Sequence, residues 1–439
     1  MIDARPVRGP FRRLRTQVEA GLIAIMLALP WIEIAGEPLL RLDVPNRRFH
    51  VFGLVIFPQE LFFLWLLVIG LALALFFFTA LAGRLWCGWA CPQTVFSDLF
   101  AGIARRIKGF HGTRAPARIA SWRIAASHVV LAALGGVIGF HLVAYFCSPR
   151  ELLGDLLHGS ASRVQVGFLC FGALVAYVDF ALVRQTFCKY LCPYARFQGV
   201  MFDSDTLVVG YDTARGEPRG KRGKAAGDCV DCGLCVAVCP TQIDIRDGLQ
   251  LECIACTQCI DACNGVMAKL GRKPELIGYR SLVSLESGKK ARLLRPRVVI
   301  YAALLVAVGA AFATTLARRL PFELTVAHNA ASLYETLADG RTGNAYTLRI
   351  ENRGLERQAF RLALEAPSGF ELLGGAGLVD IDGASSRELR VFVAAPASGA
   401  HAQAIAFSLE DSARPGQRLR RPAMFVFRPG GGGESGGAR

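Results

Sequence analysis

The sequence predicts a multi-domain membrane protein: an α-helical transmembrane bundle of about five spans, a bacterial dicluster ferredoxin-type insert, and a C-terminal all-β immunoglobulin-like sandwich. Three observations lead there. Two tandem cysteine runs with metal-ligand spacing lie between residues 229 and 263, long apolar segments interrupt the rest of the first 317 residues, and beyond Arg318 the pattern turns to short alternating segments. A chain of 439 residues with net charge +15 and mean hydropathy +0.37 is too apolar to be wholly soluble. It is also too long to need disulfide staples.

Residues 1–17 hold Arg5, Arg8, Arg12, Arg13 and Arg15 against Asp3 alone and read as a basic cytoplasmic N-terminus. The apolar run 18–34 is shortened by Pro30 and Glu33. Its poor small-residue cleavage pattern makes it an uncleaved signal anchor rather than a removed signal peptide. Segments 61–85, 124–146, 164–187 and 298–317 are each long enough to cross a hydrocarbon core about 30 Å thick. The loop after the second span carries Arg84, Arg105, Arg106, Lys108, Arg114, Arg118 and Arg123, with only Asp98 opposing. The positive-inside rule puts it in the cytoplasm of a bacterial inner membrane. The loop 147–163, with Arg150 and Arg163 balanced by Glu151 and Asp155, falls outside. The block ending at Arg297 falls inside and the C-terminus outside. Loop charge thus accounts for the basic surplus, and no motif interleaves aromatics with basic runs, so no nucleic-acid partner is expected.

The inner block reads Cys229-x-x-Cys232-x-x-Cys235-x-x-x-Cys239-Pro240, then Cys253-x-x-Cys256-x-x-Cys259-x-x-x-Cys263. Each run has the bacterial spacing for a 4Fe-4S cubane, in which the fourth cysteine ligates the other cluster. Cys229, Cys232, Cys235 and Cys263 are therefore assigned to one cluster, and Cys253, Cys256, Cys259 and Cys239 to the second. One run alone could bind zinc or form disulfides; two in tandem point to clusters. Thiolates that must capture iron are safest in a reducing compartment, which agrees with the charge bias.

After Arg318, the segments 322–327, 346–351, 360–364, 389–393, 404–409 and 424–427 alternate between turn residues, as antiparallel sandwich strands do. No cysteine follows Cys263, so the sandwich must hold by core packing. The Gly-rich stretch 430–439 reads as a disordered tail. The expected domains are 1–17, 18–200 (spans), 201–297 (ferredoxin-type), 298–317 (last span), 318–429 (periplasmic sandwich) and 430–439.

A second set of cysteines stands at the membrane surface: Cys87-Gly-Trp-Ala-Cys91-Pro92 and Cys188-Lys-Tyr-Leu-Cys192-Pro193. Residues four apart share one helix face, and each proline disfavours helix at the residue before it. Four thiols from neighbouring bent helices would make a soft site suited to Cu(I), or a dithiol/disulfide relay; the bland alternative is small buried hydrophobes. Asp179, inside the fourth span, reads either as functional or as a partner of Arg184. His128, His141, Cys147 and Cys170 read as packing residues, and Lys221, Arg222 and Lys224 as a solvated or headgroup-facing cluster.

These residues resemble the cytochrome c oxidase accessory proteins of the CcoG/FixG/RdxA type. The matching stretches are Pro45-Asn-Arg-Arg-Phe-His50, Phe57-Pro-Gln59, Gly83-Arg-Leu-Trp-Cys-Gly-Trp-Ala-Cys-Pro-Gln-Thr94, Cys192-Pro-Tyr-Ala-Arg-Phe-Gln198 through Arg215-Gly-Glu-Pro-Arg219, and Gly227 through Cys263. Gln242 and Asn264 depart from the usual Gly and Asp, and neither is a ligand. The resemblance implies a membrane-bound reductase that takes Cu(II) to Cu(I) for assembly of a cbb3-type oxidase. It implies that Cys87, Cys91, Cys188 and Cys192 handle copper as substrate or transient ligand. The partners it implies are copper-handling and oxidase-assembly proteins, oxidase subunits and a cytoplasmic electron donor, with a homodimer left open. A quinol-linked donor to a periplasmic reductase and a non-catalytic assembly scaffold are the competing readings. No carboxylate pair, nucleophile triad, phosphate loop or Rossmann fingerprint is present to support hydrolysis, phosphoryl transfer or direct nicotinamide binding.

Overall fold

The computed structural model describes residues 4–428 except 35, 111–115, 117, 221–226, 330–332, 376, 397–400 and 415. Arg114, the cluster Lys221, Arg222 and Lys224, and the Gly-rich tail lie outside the described residues. The chain forms two units, residues 1–44 with 59–313, and residues 45–58 with 314–439.

In the first unit, helices α1 (Pro10–Ala28), α2 (Leu61–Ala82), α3 (Pro92–Ile107), α4 (Ser121–Ala144), α5 (Arg163–Tyr177), α6 (Pro193–Met201), α7 (Gln258–Lys269) and α8 (Pro296–Ala317) carry the architecture. Among the described residues, four are long and apolar enough to cross a membrane: α2, α4, α8, and α5 with its π-helical continuation to Val183. At 1.5 Å per residue their 21–24 residues reach across a core of about 30 Å. Their surfaces are mostly open within the protein, as lipid-facing helices are. Helices α4 and α5 pack backbone to backbone: a Cβ on Gly139 would lie 2.6 Å from the Leu169 carbonyl oxygen, and one on Gly135 2.8 Å from that of Ala173. Such small-residue seams are how helices associate where lipid removes the hydrophobic drive.

The expected first span needs correction. Its helix does not cover 18–34. It begins at Pro10, inside the segment expected to be a separate basic N-terminus, and ends at Ala28; a 3₁₀ turn, Leu29–Trp31, and the extended pair Glu33–Ile34 follow. The helix starts early because the Asp261 carboxylate accepts from the Phe11 (3.3 Å) and Arg12 (2.7 Å) amides, satisfying donors that a helix N-terminus otherwise orphans. Pro30 limits it at the other end. The polar first turns leave α1 outside the four apolar helices, yet it runs the length of the bundle. Its start touches α7, Ile23 and Met26 pack on the Phe96–Leu131–Ile138 cluster, and the Met26 carbonyl accepts from Tyr145, just past α4 (2.7 Å).

Strands β3 (Val208–Tyr211) and β4 (Ile277–Arg280) pair antiparallel and bracket both cysteine runs. Val209, Tyr211, Ile245, Ile260, Met267, Leu276 and Ile277 form the core beneath them.

The second unit contains the expected sandwich. One sheet runs Glu371–Leu373, Ser385–Ala395, Thr342–Asn352, Phe322–His328, and the other Gly377–Ile381, Gln358–Glu365, Ala402–Asp411, Arg418–Val426. Alternate residues meet inside: Phe322, Tyr346, Leu348, Phe360, Val391, Phe407 and Phe425. Residues 45–58 join this unit through the hairpin β1 (Arg48–Val51) and β2 (Leu54–Ile56); Val55 and Phe57 pack on Ala384. Phe360 is fully buried, so Phe360→Ala should cost about 3–5 kcal/mol. Protease resistance of the sandwich should fall while iron content stays at the wild-type level.

Candidate metal centre

The two cysteine runs fold alike. The residues flanking each central cysteine, Asp231 and Gly233 around Cys232, and Ala255 and Thr257 around Cys256, all have φ between 49° and 66°. Three of these four are not glycine, so each loop holds conformations that cost of order 1–3 kcal/mol per residue. Loops of this kind turn successive amides toward an anionic guest, a use well attested at Fe–S sites.

Each loop closes over a chamber. Cys229, Cys232, Cys235 and Cys263 line one, with Tyr211, Arg246, Val266 and Met267. Cys239, Cys253, Cys256 and Cys259 line the other, with Val209, Thr241, Ile243 and Ile254; Cys235 forms part of its wall. Among the described residues no three His, Cys, Asp or Glu side chains converge on a single ion. Four assigned cysteines line each chamber, the all-thiolate donor set that a 4Fe-4S cluster takes.

The thiols are electrostatically frustrated without iron. Burial, then repulsion from other sulfurs, pushes Cys256 and Cys263 up to about 12, and burial pushes Cys253 and Cys235 up to about 11. The sulfurs repelling Cys263 are Cys235, Cys232 and Cys229. Those repelling Cys259 most are Cys256, Cys253 and Cys239. The donor sets suit thiolate-held iron, whose positive charge is what such pockets lack.

The structure also gathers the second set. Cys87 lies in the short helix Leu85–Trp89, and Cys188 in the π-helical turn Phe187–Leu191. Cys91 and Cys192 sit at the N-caps of α3 and α6, each followed by proline at the first helical position. The expectation that each pair shares one helix face is corrected: the helix carrying Cys87 ends at Trp89, because Pro92 forces extended backbone on Cys91 (ψ 127°). The Thr94 and Val95 amides donate to the Cys91 carbonyl (both 3.0 Å). Burial pushes Cys87 and Cys188 up to about 12, and repulsion among the four sulfurs adds to it.

The two sites touch. A Cβ on Gly88, inside Cys87-x-x-x-Cys91, would lie 2.6 Å from the carbonyl oxygens of both Ile254 and Ala255, inside the second cysteine run. Trp89 Nε1 donates to the Tyr279 hydroxyl (3.1 Å), and Arg84 Nη1 to the Cys253 carbonyl (3.5 Å). Arg15, 1% exposed, donates to the Cys256 carbonyl (3.5 Å) and pairs with Asp98 and Glu19.

Among the other expected residues, Asp179 accepts from Gln93 Nε2 (2.9 Å), which also donates to the Arg184 carbonyl. His128 is bonded to the Tyr177 hydroxyl, His141 to Trp31 and its own helix, and Cys147 to the Val143 carbonyl. Cys170 is exposed on α5. Sequence reading missed Gly88, Trp89 and Tyr279, and it counted Arg84, Arg15 and Asp98 only as loop or tail charges. The one available signal was a glycine enclosed by a cysteine motif.

Comparison with known proteins agrees with this geometry. Residues 183–282 match the model for a 4Fe-4S dicluster domain, 63–111 that for a 4Fe-4S binding domain, and 312–428 that for an IG-like fold at the C-terminal of FixG. The chain is 37% identical to protein RdxA of Cereibacter sphaeroides over 419 residues, covering 90% of this chain and 89% of that one. It is 35% identical to nitrogen fixation protein FixG of Rhizobium meliloti, over 83% and 79%. It is 26% identical to ferredoxin-type protein NapH of Haemophilus influenzae, over 45% and 66%.

Two outcomes are expected. Gly88→Ala should cost about 1–3 kcal/mol through a backbone clash and lower iron retention, read by iron assay and thermal melting. Because burial holds the Cys235, Cys253, Cys256, Cys259 and Cys263 thiols protonated at pH 7 and ligation releases their protons, anaerobic cluster reconstitution should speed up as pH rises from about 7 to 9. A flat profile, followed by absorbance, would contradict that.

Proposed function

The chain belongs to the FixG/RdxA family, and from that premise we propose that this membrane iron–sulfur electron-transfer protein is a cupric reductase supporting assembly of a cbb3-type oxidase. The observation that carries the reading is the backbone contact of Gly88 with residues 254 and 255, which joins the second chamber to the four membrane-edge thiols.

The ligand sets are Cys229, Cys232, Cys235 and Cys263 for the first cluster, and Cys239, Cys253, Cys256 and Cys259 for the second. Each cluster, when bound, stores and passes one electron. Cys232 is exposed and gives a cytoplasmic donor its approach to the first chamber. Cys235 walls both chambers and keeps the transfer distance short. The Leu85–Trp89 turn carries Cys87 against the second chamber and keeps water out of the junction. There Cu(II) takes one electron and leaves as Cu(I), the oxidation state that soft sulfur ligands favour. Cys91 and Cys192 stand at the N-caps of α3 and α6, where both sulfurs are available to a soft metal. The basic residues after α2 support a cytoplasmic position for the chambers and a periplasmic one for the sandwich.

The similarity to NapH favours a second reading, a quinol-linked donor to a periplasmic reductase. Cys91→Ser should keep both clusters and slow Cu(II) reduction at least tenfold in anaerobic protein with pre-reduced clusters. An unchanged copper rate, with clusters reduced by quinol in membranes, would favour the second reading instead.

A further inference from the structure

Arg84 follows α2, where its sequence position suggests a solvated loop charge. In the structure it is 4% exposed. Nη1 donates to the Cys253 carbonyl at 3.5 Å, Nη2 donates to the Ala195 carbonyl, and buried Nε has no acceptor. Among the described residues no carboxylate pairs with it. Its charge acts on the Cys253 sulfur on one side and the Cys87 sulfur on the other. A guanidinium stays protonated, and a buried cation without a counter-ion is heavily penalised.

Among the described residues, three other arginines near the chambers have carboxylate partners. Arg246 pairs with Asp231 (2.5 Å) and Asp244 (2.6 Å), and Arg215 with Asp228 (2.7 Å). Arg15 pairs with Asp98 (2.5 Å) and Glu19 (2.9 Å). Among the described residues, Arg246 and Arg215 beside the first chamber are ion-paired, whereas beside the second Arg15 has carboxylate partners and Arg84 has none.

We infer that Arg84 is a positioning residue whose counter-ion is the thiolate-held cluster of the second chamber, and that its charge sets that cluster's potential above the first, drawing electrons toward Cys87. The added electron makes the guest more negative, so a fixed nearby cation stabilises the reduced form more than the oxidised one. The inference rests on the cluster assignment above and is independent of copper.

The test is a redox titration followed by electron paramagnetic resonance on full-length protein in nanodiscs, with iron quantified. The second cluster is identified as the signal lost in Cys256→Ser. In wild type it should titrate above the other. Arg84→Gln should shift its reduction equilibrium at least tenfold toward the oxidised form, about 59 mV for one electron, and leave the other cluster in place. Arg84→Lys should recover most of the shift. If Arg84→Gln loses the cluster altogether, the wild-type order and the Arg84→Lys potential decide. Equal or inverted wild-type potentials, no shift in Arg84→Gln with both clusters present, or equal shifts of both clusters would overturn the inference. Iron-free protein would instead remove the cluster assignment beneath it.

Discussion

Buried sulfur atoms such as those of Cys253, Cys256 and Cys259 do not ionise readily in a protein interior without compensating charge. That electrostatic constraint underlies much of the first unit. It explains why the chambers are walled by apolar residues such as Val209, Ile243 and Met267 yet approached by arginines. It also explains why the loops tolerate left-handed backbone at Asp231, Ala255 and Thr257. Backbone of this kind is the sort that presents amides to an anionic group.

The same constraint ties the N-terminal helix to the cysteine-rich region. Asp261 sits on α7 between Cys259 and Cys263, and its carboxylate closes the start of α1. One turn later Arg15 reaches the carbonyl of Cys256 while Asp98 and Glu19 balance its charge. A helix that crosses the bundle is thereby anchored to the loop that would hold iron. Within it Arg15 and Glu19 are buried as a charged pair, which is tolerable only because each partner is present.

The thiol site depends on backbone rather than side-chain chemistry. Pro92 and Pro193 end the preceding turns and start new helices, so Cys91 and Cys192 stand at helix N-caps. Gly88 then lets the intervening turn lie against the second cysteine run at a distance no side chain would permit. Neighbouring glycines do the same for α4 and α5. In both places a missing methyl group decides how closely two elements approach.

Much of this was legible in the chain itself. Cysteine spacing encodes a local wrap, apolar length encodes a crossing, and period-two alternation encodes a half-buried strand, because each is a short-range consequence of bond geometry and water. Spacing also bears on why Cys263 lines the chamber of the first run and Cys239 that of the second, since three intervening residues turn the fourth sulfur away from its own loop. What only the tertiary structure decided were meetings between distant residues: Asp261 with the start of α1, Gly88 with residues 254 and 255, residues 45–58 with the sandwich, and the burial of Arg84. A charged residue looks the same in a sequence whether water or protein surrounds it. Its desolvation, and hence its influence on a nearby site, is settled only when the rest of the chain folds around it.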